Sequence, residues 1–350
     1  MLALGWNASA YQILNPGIAH WFSAGRDAVV GYVHCPGFRV VAGAPVCRED
    51  RLAAVVDEFE RDTHGAGLRA CYFAAERRLA GLLGATGRHA LMRLGAQPTW
   101  DPAGWHDGVR GHASLRAQLN RAHNKGVVAR EWITSREPAT DGMRRCLAEW
   151  LATRGTPPLH FLIEPETLGM LGDRRLFVAE RGGETVGFLV ASPVPRRDGW
   201  LVEQIIRGRG AVNGTSELLV DAAMRALAAS GSRYVTLGLS PLSRRTSVGE
   251  VATPLWLRAL LGWVRAHGRR FYNFEGLDAF KAKLGPHDWE PLYAISDRPA
   301  ISPAVLLAIM GAFSGGSPVV TVARALAWAA RQEARTLKRR AVGRRPYSVK

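Results

Sequence analysis

The sequence predicts an α/β protein built from two similar modules in tandem. Its 350 residues suffice for two domains of ordinary size, and its 47% apolar and 22% charged content is that of a folded chain. Both halves alternate short apolar strands with amphipathic helices, and the order strand pair, helix, strand occurs twice. We therefore expect two mixed sheets flanked by helices, although no sequence repeat is visible between the halves.

The first module is expected at residues 1–133. Apolar runs predict strands at Val29–Val33 and Phe38–Val46, which Pro36 and Gly37 separate. The pattern then alternates between helical and extended spacing, which predicts a helix, a strand, a helix and a strand at Arg48–His64, Leu68–Ala74, Ala75–Thr86 and His89–Leu94.

A basic helix is expected to end this module, at Ser114–Gly126. Its narrow apolar stripe consists of Leu115, Leu119 and Ala122. The other faces carry Arg116, Arg121 and Lys125, and no acid lies between Asp107 and Glu131. A helix without opposite-charge pairs gains little stability from its surface, but its cations suit the binding of phosphates.

The second module is expected at residues 134–300. Arg175–Glu180 and Thr185–Ser192 flank Gly182 and Gly183 and predict a β-hairpin. Strands and helices then alternate, starting with a strand, at Trp200–Ile206, Thr215–Ser230, Tyr234–Leu239, Pro254–His267 and Arg270–Phe274.

A helical tail is expected at residues 301–350. Pro303–Phe313 is an apolar run, and Val319–Lys338 has the spacing of an amphipathic helix with a basic side. From Arg324 onward there are nine Arg or Lys and one acid, a net charge of +8. An apolar run followed by a cationic helix predicts contact with a membrane surface, and the alternative is a helix pair packed on the body.

The net charge of +16 indicates polyanionic partners such as nucleic acid or an anionic bilayer, unless it reflects only an Arg-rich composition. The four cysteines are scattered without zinc spacing, so we expect buried free thiols, no metal and no cofactor. No basic patch followed by an apolar run opens the sequence, and no window of 18 clean apolar residues occurs. We therefore expect neither a signal peptide nor a membrane span.

The segment Tyr272–Tyr293, together with Asn213–Glu217 and Leu237–Leu242, resembles the C-terminal catalytic region of phosphatidylglycerol lysyltransferases. The resemblance begins near Phe22, includes the turn Gly43–Val46 and ends at Tyr293. Members of that family move an amino acid from aminoacyl-tRNA to a membrane lipid. The resemblance implies tandem GNAT-type acyltransferase folds, aminoacyl-tRNA and an anionic phospholipid as partners, and a cytoplasmic protein on the inner face of the membrane.

The resemblance also implies roles for individual residues. Those implied in catalysis are Glu203, Arg207 and Lys281. Those implied in substrate binding are Asn213, Glu217, Lys283 and Glu275. Those implied in binding tRNA or its phosphates are Arg116, Arg121 and Lys125. Structural alternatives remain open for several: an ion pair of Glu203 with Arg207, helix caps at Asn213 and Thr215, a solvated face for the lysines, and a turn at Glu275.

Two other functions remain open. The first is a coenzyme A-dependent N-acyltransferase, whose pyrophosphate loop has the pattern Gln/Arg-x-x-Gly-x-Gly/Ala. The segment Arg207–Val212 supplies the first glycine but has Val212 at the last position, which disfavours coenzyme A. The second is a lipid- or RNA-binding module without activity. Longer relatives carry a multi-helix flippase region before this one, and we expect no such region in this sequence.

Overall fold

One twelve-stranded sheet runs through both halves of the chain. The structure is a computed structural model that describes residues 1–133, 139–153, 159–246, 256 and 274–314. The strands are β1 (Ala19–Phe22), β2 (Val29–Cys35), β3 (Phe38–Ala42), β4 (Arg69–Ala75), β5 (Ala90–Trp100), β6 (Val127–Trp132), β7 (Arg175–Arg181), β8 (Glu184–Val194), β9 (Gly199–Arg207), β10 (Tyr234–Thr236), β11 (Ser240–Pro241) and β12 (Asp288–Ser296). Their order is β1-β2-β3-β4-β12-β5-β10-β9-β8-β7-β6, with β11 paired to β5.

The α-helices pack on both faces of this sheet. They are α1 (Leu52–Gly65), α2 (Arg77–Gly84), α3 (Trp105–Gly111), α4 (Ala113–Asn124), α5 (Asp141–Thr153), α6 (Thr215–Ala229), α7 (Phe274–Lys283) and α8 (Pro303–Ser314). Helices α1 and α2 cover one face of the first half, and a 3-10 helix at Ala8–Leu14 and α8 cover the other. In the second half, α4 and α6 share one core, whereas α5 packs on the opposite face.

The two halves use the same strand order. Strands β1, β2 and β3 are antiparallel neighbours, and β4 returns parallel to β3 after α1. Strands β7, β8 and β9 are likewise antiparallel, and β10 returns parallel to β9 after α6. This repeat confirms the predicted mixed α/β fold of the GNAT acyltransferase type.

The halves are joined because β12 lies between β4 and β5. It is antiparallel to both, so a strand from the end of the second half completes the sheet of the first. Strand β5 in turn pairs with β10 of the second half. The division of the chain at residue 133 stays a prediction.

Several element bounds differ from those predicted. The strand expected at Phe38–Val46 ends at Ala42, because Gly43 has a φ of +72° and donates its N–H to the carbonyl of Phe73. An added Cβ at Gly43 would lie 2.4 Å from the hydroxyl of Ser9, so the turn requires glycine. The predictions missed β1, β6, β11, α3 and α5. Of these strands, β1 and β6 are the outermost of the sheet.

Part of the tail and of the second half lies outside the described residues. This applies to the helix predicted at Pro254–His267, to most of the strand predicted at Arg270–Phe274, and to the helix predicted at Val319–Lys338. Helix α8 buries Val305, Ile309 and Ala312 in the core of the first half. Its opposite side exposes Leu307 and Met310. None of the described helices is long and apolar enough to cross a bilayer.

The cysteines and metal-binding residue types form no special site in the described part of the chain. All four cysteines are buried and free. Within the described ranges, no three His, Cys, Asp or Glu side chains are grouped so as to hold a metal ion.

A buried polar network connects the two halves beside β12. Gln97 donates to Glu76, at 3.3 Å, and to Glu290, at 3.0 Å, and Arg197 pairs with both carboxylates. Tyr234 donates its hydroxyl to Glu290 at 3.0 Å, and the Arg197 guanidinium lies 3.5 Å from the centre of its ring. Burial raises the pKa of Glu76 to about 7, against the opposing charge of Arg197. Burial would also raise the pKa of Glu290, but the hydrogen bond from Arg197 lowers it below its ordinary value.

Glu76→Gln should remove a pH dependence of stability. The pKa of Glu76 is raised from 4.5 to about 7 on folding, so the folded state holds the proton more tightly and its stability falls as pH rises through that window. The variant cannot ionise at this position. The difference between its free energy of unfolding and that of the wild type should therefore shift in its favour by on the order of 2 kcal/mol between about pH 5 and pH 8. Urea unfolding at several pH values measures this difference. Exposed Glu184→Gln is the control, and equal pH profiles for wild type and Glu76→Gln would contradict the assignment.

Candidate active site

The parallel strands of the second half separate at their carboxyl ends. Strands β9 and β10 pair from Gly199 to Leu201 on the first and from Tyr234 to Thr236 on the second. Strand β9 then continues to Arg207, whereas the chain after β10 turns at Gly238, where φ is +66°. Open α/β sheets bind ligands at the carboxyl ends of parallel strands, so this cleft is the candidate active site.

Lys281 on α7 lies beside the carboxyl end of β10. Its ammonium or amine Nζ donates to the carbonyl oxygens of Gly238 and Leu239, both at 2.9 Å. The residue is only 4% exposed, and this burial lowers its pKa to about 7 despite the nearby charge of Asp278. Burial therefore favours the neutral amine form of Lys281. Phe280 and Leu284 on the same helix pack in the core of the second half. Lys281 is buried beside them because two carbonyls satisfy its nitrogen.

Asp278 orders the loop that follows β10. It accepts hydrogen bonds from the hydroxyl of Ser240, at 3.1 Å, and from Nε of Arg245, at 2.6 Å. Burial would raise the pKa of Asp278, but the hydrogen bonds from Arg245 and Ser243 lower it below its ordinary value. The sequence predicted no role for Asp278, although its spacing of three from Lys281 places both on one side of α7.

Lys283 and Glu217 form an ion pair that joins α7 to the first turn of α6. The Glu217 side chain is 8% exposed and that of Lys283 is 29% exposed. A carboxylate in the first turn of a helix is stabilised by the helix dipole, and the lysine neutralises it further. Two residues predicted separately for substrate binding are thus brought together by the fold.

Helix α4 packs directly on the start of α6. The N-cap of α6 is Gly214, with a φ of +97°, and an added Cβ would lie 2.1 Å from the carbonyl oxygen of Gln118 and 3.2 Å from Cβ of Ala122. The alternative that Asn213 or Thr215 caps this helix is wrong: Asn213 is exposed, and the Thr215 hydroxyl donates to the carbonyl of Val212. Close approach of α4 requires a residue without a side chain at the cap.

Glu203 lies in a bulge of β9, between the residues that pair with Val190 and Ala191. Its partner is Arg174, at 3.2 Å from Nε to Oε1, and each side chain is 3% exposed. Arg174 also donates to Asn15, at 3.0 Å, and to the carbonyl of Met170, at 2.8 Å. The predicted alternative of an ion pair with Arg207 is therefore wrong, because Arg174 arrives from a segment that the sequence analysis left unassigned.

The remaining predicted residues lie at the surface. Arg207 is exposed at the end of β9, and Glu275 is exposed in the first turn of α7. On α4, Leu115, Leu119 and Ala122 are buried as predicted, and the three cations Arg116, Arg121 and Lys125 are exposed. Arg116 donates to the carbonyls of Val109 and Arg110, so part of its guanidinium holds the preceding turn.

The separated strand pair, with α6 starting after β9, is the arrangement of a GNAT-type acyltransferase fold. The chain belongs to the family of phosphatidylglycerol lysyltransferase C-terminal domains, because the sequence profile described as "Phosphatidylglycerol lysyltransferase, C-terminal" matches residues 4–296. This match confirms the family resemblance seen in the sequence. No curated protein gives a significant match to the chain.

Two solved structures are similar to this chain over nearly their whole length. The C-terminal domain of a putative lysylphosphatidylglycerol synthetase from Agrobacterium fabrum is 23% identical, with a TM-score of 0.75 over 88% of this chain and 93% of that chain. L-PGS from Bacillus licheniformis is 21% identical, with a TM-score of 0.75 over 92% of this chain and 94% of that chain. Both similarities show the shared fold.

Gly214→Ala should destabilise the protein more than Gly231→Ala. Both glycines have positive φ, but an added Cβ meets the backbone of α4 only at Gly214, since Gly231 has open space within 4 Å. We expect about 1 kcal/mol of destabilisation at Gly231 from the backbone conformation, and at least about 2 kcal/mol more at Gly214 from the displaced helix. Denaturant unfolding of the two variants measures the difference. Equal losses would show that α4 does not pack on the cap of α6 as described.

Proposed function

We propose that this protein transfers an aminoacyl group from aminoacyl-tRNA to the headgroup hydroxyl of phosphatidylglycerol or a related anionic lipid. Family membership supports aminoacyl transfer to phosphatidylglycerol as the reaction class. The tRNA donor, the membrane surface and the residue roles are parts of the proposal that the geometry of the site supports.

The observation that carries the mechanism is the environment of Lys281. Its two hydrogen bonds to the carbonyls of Gly238 and Leu239 use two N–H groups. A neutral amine has only two N–H groups, so its lone pair is left on the remaining side. With a pKa lowered to about 7 by burial, a large share of the lysine is in this form at neutral pH. These properties suit a general base.

Lys281 would take the proton from the lipid hydroxyl as its oxygen attacks the ester carbonyl carbon of the aminoacyl group. The tetrahedral intermediate then breaks its bond to the ribose oxygen of the tRNA, and Lys281 returns the proton to that leaving oxygen. The ester bond is exchanged for another ester bond, so no nucleotide hydrolysis is needed. Positioning of the two substrates then provides much of the rate acceleration.

Glu203 is better suited to positioning than to proton transfer. Arg174 occupies both of its carboxylate oxygens, at 3.2 and 3.5 Å, and the pair is almost fully buried. Breaking a buried pair leaves an unpaired charge, which costs about 3–5 kcal/mol. We propose that Glu203 holds the bulge of β9 against Arg174, and through it fixes the wall of the cleft.

The other candidates are assigned to the rim of the cleft. The Lys283–Glu217 pair joins α6 and α7 beside it, and we propose that it contacts the substrate through the exposed part of Lys283. Arg207, Asn213 and Glu275 are exposed and are proposed to contact the phosphate, ribose or amino group of the donor.

The packing of α4 argues against coenzyme A. In a coenzyme A enzyme the first turn of the helix after β9 faces the pyrophosphate through its backbone N–H groups. Here the carbonyl of Gln118 lies over Gly214 at that point. The exposed cations Arg121 and Lys125 follow on the same helix and are proposed to contact tRNA phosphates. With a cationic surface and no spanning helix among the described residues, we propose a peripheral location on the cytoplasmic face of the membrane.

The proposal is tested by incubating the protein with tRNA charged with a labelled amino acid and vesicles of phosphatidylglycerol. The label should move into the lipid fraction. Vesicles of phosphatidylcholine, a lipid without net charge, are the control. One outcome would contradict the proposal: no combination of aminoacylated tRNA and anionic lipid gives transfer, and acetyl-coenzyme A binds saturably. The activity would then belong to a different acyltransferase class.

Lys281→Arg should abolish transfer even though it keeps the positive charge. For the wild type, kcat/KM should rise with pH up to about 7, the folded pKa of Lys281, and level off above it, because only the neutral amine accepts a proton. Arginine does not lose its proton, so the variant should lose at least about 100-fold in kcat/KM and show no such rise. Initial rates between about pH 5.5 and pH 8.5 measure both effects. Full activity of Lys281→Arg would instead indicate a purely electrostatic role.

The double variant Arg121→Gln/Lys125→Gln should weaken tRNA binding and its salt dependence. Each phosphate contact that is lost lowers the slope of log K against log salt by about 0.7–0.9, so the pair should lower it by roughly 1.5. The matched control is Arg61→Gln/Arg77→Gln, which removes two exposed arginines from α1 and α2. Filter binding over a salt series measures the slopes. Equal slopes for the two double variants would place the tRNA elsewhere.

A further inference from the structure

A cavity of about 600 Å³ lies in the first half of the chain, outside the candidate active site. Its walls come from the loop after β3, the first turn of α2, the N-terminal segment and the turn before β9. Strands β3 and β4 are parallel neighbours, and the loops that follow them form two of the walls. The cavity therefore occupies, in the first half, the place that the cleft beyond β9 and β10 occupies in the second.

Two helical segments begin at this cavity. A 3-10 turn at Glu49–Arg51 leads into α1, and α2 begins at Arg77. Neither start has a side-chain cap, so the first N–H groups of each lack the oxygen that a capping residue supplies. In the second half, α4 covers the corresponding helix start at Gly214. In the first half, Glu49, Asp50 and Arg78, which lie at these two starts, line the cavity.

Three arginines line the cavity: Arg48, Arg78 and Arg196. Arg78 stands out because its Nε and Nη2 atoms are buried and have no hydrogen-bond partner in the described part of the chain. Its nearest acid, Glu49, lies at 3.8 Å, which is too far for a hydrogen bond, and the ring of Trp6 lies 5.3 Å from the guanidinium. A buried guanidinium with unmet donors indicates a missing acceptor.

Two acids, Glu49 and Asp50, also line the cavity and would repel a phosphate if their charges were unscreened. Both lie in the first turn before α1, where the helix dipole favours negative charge. Asp50 is paired with Nε and Nη2 of Arg48, which leaves Nη1 of that arginine for another partner. The Glu49 and Asp50 side chains are 79% and 63% exposed, and that of Arg48 is 71% exposed, so water screens all three charges. The Arg78 side chain, at 17% exposed, is largely buried.

We propose that this cavity binds the phosphate group of a nucleotide-sized ligand. Guanidinium groups and uncapped helix starts are the donors that proteins use for phosphate. The volume exceeds that of a phosphate alone and falls in the range of small-molecule sites, and Leu4 provides an apolar wall for an organic group. None of the residues assigned to aminoacyl transfer lines the cavity, so this site does not depend on the proposed function.

The test is isothermal titration calorimetry of the full chain. AMP, adenosine and inorganic phosphate are titrated into it in separate experiments. AMP should bind, inorganic phosphate should bind more weakly, and adenosine should not bind. Arg78→Gln should weaken AMP binding by about tenfold or more, because it removes a charge-assisted hydrogen bond to the phosphate. Arg77→Gln is the matched control, since Arg77 precedes Arg78 on α2 but does not line the cavity, and it should bind AMP like the wild type.

A second variant keeps the test decisive if Arg78→Gln folds poorly. Arg196 is exposed, so Arg196→Gln should unfold at the same denaturant concentration as the wild type and still bind AMP severalfold more weakly. The proposal is overturned if AMP does not bind, if adenosine binds as tightly as AMP, or if Arg196→Gln and a folded Arg78→Gln bind AMP as the wild type does. Because binding is measured without any transfer reaction, an inactive enzyme would not affect this result.

Discussion

The insertion of β12 between β4 and β5 is the interaction on which the rest of the structure depends. All nine residues of β12 have a partner on β5, and Tyr293–Ser296 are also paired with β4. Without this strand, the backbone groups of β4 and β5 that face it would be left as two open edges. The two modules therefore share one sheet, although each repeats the same local order of strands and helices.

This insertion also positions the candidate active site. Helix α7 is followed directly by β12, so the sheet of the first module holds the helix that carries Lys281 and Lys283. From there Lys281 reaches the carbonyls after β10, and Lys283 reaches the first turn of α6. The two lysines proposed for the site are thus carried by a helix that leads into a strand paired on both sides, and such support keeps side chains in place.

The local patterns of the sequence predicted much of the fold. The stripe of Leu115, Leu119 and Ala122 is buried as expected, because helical spacing alone determines which face is apolar. The hairpin of β7 and β8 turns at Gly182 and Gly183, both with positive φ. The end of β3 was predicted four residues too late, since the collision that requires Gly43 involves the distant Ser9 and is not visible in the local pattern.

The sequence named candidate residues for the site but predicted none of the ion pairs that they form. Lys281, Lys283, Glu217 and Glu203 were named from the sequence, whereas Arg174 was not, since no local pattern links Glu203 to a residue 29 positions before it.

What the sequence determined by itself is the class of fold, the family and the order of elements, because these follow from periodicity and from short motifs along the chain. What only the tertiary structure decided is which charges meet, which amine is buried and which helix start is covered or open. These depend on contacts between segments far apart in the chain. Such contacts bury Lys281, which lowers its pKa, and they bury the guanidinium of Arg78 without an acceptor.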